Sequence, residues 1–234
     1  MKSLTSPFPV PQGHPALSES GPITDDNPAS PATCTSSFTP TSKGLRRVYV
    51  VVLDRSGSMK DPWGNMNKLE GVKRAALGVL SDIFRREPGA EVLIVSFNAH
   101  ATVVFPLRDL EEAYSEAIAA VKGIQVGGNT DQGAAMGLVE REVAGLLGGS
   151  ASVMVLLMSD CKGGEPRPAA QRLKQGGALI AVSAFGTSRA DVKEKLLREV
   201  ASVHSGETLY RFADSAEELA TTTKTFTQTM KNAT

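Results

Sequence analysis

The chain of 234 residues is long enough to bury a sizeable core without disulfide or metal crosslinks. Lys plus Arg and Asp plus Glu both number 25, so no overall field of either sign favours nucleic acid or an anionic membrane as a partner. Two cysteines are too few for a disulfide scaffold, and no apolar run approaches the roughly 20 residues of a membrane-spanning helix. With no apolar core of a secretory signal near the N-terminus, we expect a cytoplasmic protein that does not insert into a membrane.

The first 44 residues differ in composition from the rest of the chain. They contain 8 of the 13 prolines together with many Ser and Thr, and they show no periodicity of helix or strand. Such a segment cannot bury enough apolar surface to offset the entropy lost on ordering. We predict a disordered tail over residues 1–44 and one folded domain over residues 45–234. Composition favours a solvated leader, and the alternative is an arm that docks a partner.

From Arg46 onward, β-branched runs alternate with helical patterns, which predicts crossover units and a largely parallel sheet. Six strands are expected: RRVYVVVLD, EVLIVSFN, ATVVFPL, SVMVLLMSD, ALIAVSAFG and ETLYRFA. Too few residues separate the second from the third for a crossover, so the third must run antiparallel, as an edge strand. Helices are expected over 68–86, 109–121 and 130–147, after Pro166, after the cap Ser188 with Asp191, and from Asp214 with Glu217.

The first strand ends in residues suited to ligand binding. In VVVLDRSGSM, the apolar run is followed at alternate positions by Asp54, Ser56 and Ser58, and Gly57 allows a tight turn between the serines. Open α/β sheets bind ligands beyond the carboxyl ends of their strands. We therefore expect the three side chains to point oxygen atoms towards one position at that edge.

Two further oxygen donors occupy matching places. Thr130 lies in the loop VGGNTDQG, where Gly127 and Gly128 precede a helix, and Asp160 ends the strand SVMVLLMSD as Asp54 ends the first strand. These residues converge if the two strands are neighbours. Two carboxylates and three hydroxyls without Cys or His suit Mg²⁺, or Mn²⁺, which prefer oxygen ligands. The predicted metal ligands are Asp54, Ser56, Ser58, Thr130 and Asp160.

The arrangement resembles the metal ion-dependent adhesion site (MIDAS) of von Willebrand factor type A (vWA) domains, which carries D-x-S-x-S after the first strand, a Thr in a glycine-rich loop and an Asp after the fourth strand. The likeness covers about residues 45–231. It implies a Rossmann-like three-layer α/β/α fold and a divalent cation coordinated directly by Ser56 and Ser58. It also implies direct or water-mediated contacts from Asp54, Thr130 and Asp160, and a sixth position that accepts an Asp or Glu of a protein partner.

The loop DPWGNMN over residues 61–67 is longer than many relatives in that family would need. Trp63 and Met66 in this loop, with Asn129 beside Thr130, are candidates for a partner-binding rim, since Trp is enriched at the energetic centres of interfaces. An equally good alternative is that the loop packs onto its own domain.

A binding module without catalytic residues is the favoured function, because no recognisable motif positions a His or Lys near the site as a base. The alternative is a Mg²⁺-dependent phosphatase of the haloacid-dehalogenase type with Asp54 as nucleophile, but that family carries D-x-D and the second position here is Ser56. No glycine-rich phosphate-binding motif follows a strand, which argues against nucleotide binding. The vWA resemblance implies an adaptor in a stress-response or ATPase-associated complex, with a MoxR-type AAA ATPase as a candidate partner.

Overall fold

The structure is a computed structural model that describes residues 45–160 and 162–231. The predicted disordered tail over residues 1–44 lies outside this part of the chain. The described part contains the strands β1 (Arg46–Asp54), β2 (Pro62–Trp63), β3 (Met66–Asn67), β4 (Glu91–Phe97), β5 (Ala101–Asp109), β6 (Ala151–Ser159), β7 (Leu179–Phe185), β8 (Val203–His204), β9 (Glu207–Thr208) and β10 (Tyr210–Ala213). Its α-helices are α1 (Lys68–Arg86), α2 (Leu110–Gly123), α3 (Gln132–Val143), α4 (Arg167–Gln175), α5 (Glu194–Val200) and α6 (Ala216–Lys231).

Six of these strands form one sheet in the order β10-β7-β6-β1-β4-β5. Every neighbouring pair is parallel except β4 and β5, which are antiparallel. The predicted sheet, mainly parallel and six-stranded with one antiparallel edge strand, is confirmed. β1 and β6 are direct neighbours, so the carboxyl ends of these two strands lie side by side.

β1 shows why the sheet is covered on both faces. Its residues Tyr49, Val51 and Leu53 belong to one buried cluster that also contains side chains of α1, α2 and α6. The alternate residues Val48, Val50 and Val52 belong to a second cluster with side chains of α3, α4 and α5. Because successive strand residues point to opposite faces, a continuous apolar run requires helices on both sides. The predicted three-layer α/β/α arrangement follows.

Two predicted elements differ in detail from the structure. The segment ETLYRFA is not one strand, because Glu207–Thr208 pairs with Val203–His204 in a small hairpin, and only Tyr210–Ala213 joins the sheet beside β7. The predicted cap of Ser188 with Asp191 is present as a reciprocal capping box, but it caps a single 3-10 turn, and α5 begins only at Glu194.

Candidate metal centre

The two predicted carboxylates lie at the same edge of the sheet. Leu53 of β1 is paired with Met158 of β6, so Asp54 and Asp160 follow neighbouring strands to the edge where ligands bind in open α/β sheets. Both side chains are fully buried. Buried carboxyl groups are costly unless a donor or a cation satisfies their oxygens, so the partners of each oxygen decide what the site can hold.

Both oxygens of Asp54 accept hydrogen bonds from the protein. Oδ1 accepts the backbone N–H of Ser56 at 2.9 Å, and Oδ2 accepts the hydroxyl of Ser159 at 2.6 Å. Gln132 Nε2 in turn donates to Ser159 Oγ at 2.7 Å. This buried series, from Gln132 through Ser159 to Asp54, fixes the orientation of the carboxylate. Each carboxylate oxygen has a second lone pair, so Asp54 can still face a cation or its bound water.

Burial also changes the acidity of Asp54. Desolvation raises the pKa of this carboxyl group to about 6, and the nearby charge of Asp160 acts in the same direction. The hydrogen bonds from Ser159 and Ser56 oppose that shift without cancelling it. A divalent cation would favour the ionised form, because opposite charge nearby stabilises a carboxylate.

The serine hydroxyls are brought together by a short helical turn. Ser56 Oγ and Ser58 Oγ lie 3.3 Å apart, at the start of the 3-10 helix Gly57–Lys60. The backbone N–H of Met59 donates to Ser56 O at 2.9 Å, which closes the turn. Two neighbouring hydroxyl oxygens beside a buried carboxylate are the donor type that Mg²⁺ and Mn²⁺ accept.

The loop that carries Thr130 is tied to this edge by backbone hydrogen bonds. Gly57 N donates to Gly128 O at 2.7 Å, and Gly127 N donates to Arg55 O at 2.8 Å. Gly128 has a φ of +81°, which lies in the left-handed region and favours glycine. Thr130 itself is half-buried and follows directly after these contacts. The loop therefore lies against the D-x-S-x-S segment, as the motif requires.

The two carboxylate oxygens of Asp160 differ in their hydrogen bonding. Its Oδ2 accepts a hydrogen bond from Lys68 Nζ at 2.9 Å, whereas its Oδ1 is buried and has no hydrogen-bond partner. Lys162 Nζ lies 3.7 Å from Oδ2 as a more distant, half-exposed cation. A bound cation or its water shell would satisfy Oδ1, so the donor set fits a divalent ion.

Sequence reasoning missed Ser159, Gln132 and Lys68. Ser159 directly precedes Asp160, and this serine beside the strand-ending aspartate was the one signal available. Gln132 and Lys68 are helix residues whose contacts with the site arise only from packing. In the part of the chain that the structure describes, no group of three or more His, Cys, Asp or Glu side chains is arranged to hold a metal, and the candidate site combines two carboxylates with hydroxyls instead.

The rim prediction for Trp63 is wrong. The side chain is only 3% exposed, its ring lies 5.5 Å from the ring of Phe185, and it fills the space beside Gly71. The long loop forms the β2–β3 hairpin, and Trp63 anchors that hairpin in the core, so burial of a large aromatic surface decides its place. Met66 is half-buried and Asn129 is exposed, so these two remain rim candidates.

Comparison with known proteins agrees with this architecture. The family model of the von Willebrand factor type A domain matches residues 50–225. The fold is similar to a von Willebrand factor type A protein from Catenulispora acidiphila, with a TM-score of 0.67 and 21% identity over 80% of this chain and 43% of that one. BatB from Bacteroides thetaiotaomicron matches with a TM-score of 0.64 and 17% identity over 80% of this chain and 99% of that one.

A third structure is proximal thread matrix protein 1 from the mussel byssus, with a zinc-occupied MIDAS motif. It has a TM-score of 0.62 and 21% identity over 77% of this chain and 47% of that one. This chain thus spans less than half the length of the Catenulispora and mussel proteins. No curated protein is similar enough in sequence to count as a relative.

The matched residues 50–225 include the whole candidate site and most of the sheet. The chain therefore belongs to the von Willebrand factor type A domain family, as the motif resemblance predicted. None of the helices that the structure describes is long and apolar enough to cross a membrane.

Proposed function

We propose that the protein is a metal-dependent protein-binding module. Asp54, Ser56, Ser58, Thr130 and Asp160 would hold Mg²⁺, or Mn²⁺, at the carboxyl ends of β1 and β6. The observation that carries the proposal is the buried Asp160 Oδ1, which has no hydrogen-bond partner although the charge of Asp160 acts on the second buried carboxylate, that of Asp54. Membership of the vWA family and the zinc-occupied MIDAS of the mussel protein support it.

The residues around the site indicate which chemical group a partner would supply. A divalent ion held here would supply an electrophilic position for an oxygen ligand. Apart from Asp54 and Asp160, whose carboxylates Ser159 and Lys68 orient, the proposed ligands are neutral hydroxyls, so a further anionic ligand would have to come from outside. We propose that this ligand is an Asp or Glu side chain of a protein partner. The exposed Asn129 and the half-buried Met66 would contact the residues beside that acid.

The first experiment measures the metal. Thermal unfolding in EDTA is compared with unfolding in Mg²⁺ or Mn²⁺, and we expect the ion to raise the Tm, because a ligand of the folded state stabilises it by mass action. Asp54→Ala should keep the circular dichroism of the fold and lose the shift. Asp82→Ala is the matched control, since Asp82 is also buried but pairs with Arg85 in α1, away from the site. An unchanged Tm in the parent protein would contradict the proposal.

The second experiment tests the partner. A MoxR-type AAA ATPase is the first candidate, because the vWA resemblance implies that association, and a cytoplasmic location stays a prediction alongside it. Binding should require the cation and should disappear in EDTA and in Asp54→Ala. Changing each acid of the partner to its amide should identify one whose loss abolishes binding, and survival of metal-dependent binding through all such changes would exclude the carboxylate bridge.

The phosphatase alternative gains no support from the geometry. The second position of a D-x-D motif is Ser56 in this chain, so the second carboxylate is missing. The Ser56 hydroxyl lies 3.3 Å from Ser58 Oγ instead. A phosphatase assay with p-nitrophenyl phosphate and Mg²⁺ gives the decisive comparison. Turnover that Asp54→Ala removes would replace the binding-module proposal by an enzyme.

A further inference from the structure

Lys68 is the first residue of α1, yet its side chain is only 6% exposed, and its ammonium lies 2.9 Å from Asp160 Oδ2. Helix N-termini favour negative charge, because the backbone dipoles place their positive ends there. A lysine at this position does not help α1 to form, and burying its long side chain costs conformational entropy and desolvation. Its position points to a role at the candidate metal centre.

The start of α1 is built so that Lys68 reaches that centre. Asn67 caps the helix by accepting the Glu70 N–H at 2.9 Å, and the backbone N–H of Lys68 donates to Asp61 O at 3.1 Å. Together with the β2–β3 hairpin, which Trp63 anchors in the core, these contacts fix the first turn of the helix. The Lys68 ammonium is therefore held in place rather than free to swing into solvent.

We propose that Lys68 is a built-in cation that competes with the divalent ion for Asp160. The inference rests on the proposed metal site and adds a specificity-determining residue to it. Lys68 occupies Oδ2 of Asp160 with its charge, whereas Oδ1 has no hydrogen-bond partner, so Oδ1 is the oxygen most open to the ion or its water shell. The ammonium also places a positive charge next to the ion's position, which weakens the binding of any cation there.

The charges that face the site show what this competition achieves. Asp54 and Asp160 alone would balance a divalent ion, and the loaded site would carry no net charge. With Lys68 these groups and the ion keep one positive charge. Lys162 lies 3.7 Å from Asp160 Oδ2 but adds little, because its ammonium is also 3.9 Å from Asp61 Oδ2. Asp191 faces both lysines and offsets part of their charge. The loaded site thus attracts an anionic ligand more strongly, while it holds the ion less tightly. Lys68 therefore lowers the affinity of the site for the metal and raises the affinity of the loaded site for the partner's carboxylate.

The test uses Lys68→Met in the full chain, with Mn²⁺ as the probe and the free ion measured by electron paramagnetic resonance. Methionine keeps most of the side-chain volume and removes the charge. We expect the Kd for Mn²⁺ to fall by about tenfold or more, because a like charge in a buried site is removed. Lys73→Met is the matched control, since Lys73 lies on the same helix and donates to Lys122 O at 3.1 Å instead of to the site. Its Kd should not change.

Asp160→Asn separates charge from structure. This single variant leaves the Lys68 ammonium facing the ion without its counter-charge, so we expect Mn²⁺ binding to weaken by more than tenfold. Adding Lys68→Met to Asp160→Asn restores the parent's net charge, and part of the affinity should return. Circular dichroism establishes that each variant is folded.

The outcomes separate the two proposals. If the parent protein binds no Mn²⁺, the proposed function fails, and this inference fails with it. If the parent binds Mn²⁺ and Lys68→Met binds with equal or lower affinity, only the role of Lys68 is wrong. If Lys68→Met does not fold because Asp160 is left buried without its counter-charge, the double variant, which removes both charges, is compared with Asp160→Asn. If the double variant binds Mn²⁺ no more tightly than Asp160→Asn does, the inference is overturned.

Discussion

Ser159 donates its hydroxyl proton to Asp54 Oδ2 over 2.6 Å, although the two residues are 105 positions apart in the chain. The contact exists because β1 and β6 are parallel neighbours whose ends are level. This hydrogen bond orients a carboxylate of the candidate metal centre. Gln132 holds the Ser159 hydroxyl in place by donating to the same oxygen.

Removing this support should weaken metal binding without unfolding the protein. We expect Ser159→Ala to lower Mn²⁺ affinity by roughly tenfold or more, as the loss of groups that orient metal ligands does elsewhere. Titration calorimetry measures the change. Ser183→Ala is the matched control, because Ser183 is equally buried on β7 but its hydroxyl has no hydrogen-bond partner. Equal affinities in both variants would show that the Ser159 hydrogen bond does not orient a ligand.

The stability of the metal-free protein should depend on the ionisation of Asp54. Burial raises its pKa from an ordinary value of 3.8 to about 6, so the folded protein binds this proton more tightly than the unfolded chain does. The contribution of Asp54 to the free energy of unfolding is therefore fully present below about pH 4, is lost as the pH rises through about 6, and levels off above about pH 7. A shift of this size corresponds to a loss on the order of 3 kcal/mol.

Urea unfolding in EDTA across that pH range measures this dependence, and Asp54→Asn isolates it from other titrating groups. The difference in stability between parent and variant should change between about pH 4 and pH 7 and stay level at higher pH. Because a cation needs the ionised carboxylate, stabilisation by Mg²⁺ should also shrink as the pH falls below about 6. Parallel pH profiles for the two proteins would mean that Asp54 titrates normally.

Trp63 should matter much more for stability than Met66 in the same hairpin. We expect Trp63→Ala to destabilise the fold by about 3–5 kcal/mol, because it removes a large buried side chain that contacts Phe185 and leaves a cavity. Met66→Ala should cost less than about 1 kcal/mol, since Met66 is half-buried in the same hairpin. Chemical unfolding measures both. A Trp63→Ala protein as stable as the parent would be incompatible with the buried position.

The glycine loop offers a fourth test. Gly128 has a φ of +81°, and an added Cβ would lie 2.7 Å from Asn98 Nδ2. Gly128→Ala should therefore displace the loop that carries Thr130, and weaken Mn²⁺ binding several-fold. Gly64 is the control, because its φ of +67° carries similar backbone strain while its Cβ would meet nothing within 4 Å. Gly64→Ala should cost about 1 kcal/mol of stability and leave the affinity intact. Identical affinities would argue against the loop's role.

Much of this fold is encoded locally. The continuous apolar run of β1 and the 3.6-residue periodicity of α1 predict their elements with nearly the observed bounds, because burial on two faces or one face leaves a direct mark on the sequence. The short link between β4 and β5 likewise forces the antiparallel pair. The strand ends then bring the predicted carboxylates Asp54 and Asp160 to one edge.

Contacts between distant elements were beyond sequence reasoning. Lys68 meets Asp160 across 92 residues, and nothing in the local pattern of either marks the pair. A tryptophan is common both at protein interfaces and in protein cores, so the sequence does not show which place Trp63 takes. Its packing against Phe185 places it in the core. In ETLYRFA, the alternation is compatible with one strand, and the hairpin with Val203–His204 divides it.

The two outer strands of the sheet differ from the rest in a way that limits aggregation. An unpaired strand edge can recruit the backbone of another chain and grow into a continuous intermolecular sheet. β5 at one edge carries an exposed Pro106, which has no amide hydrogen to donate, and an exposed Arg108. β10 at the other edge is only four residues long. Both edges of the sheet are therefore poor templates for pairing with the backbone of a second chain.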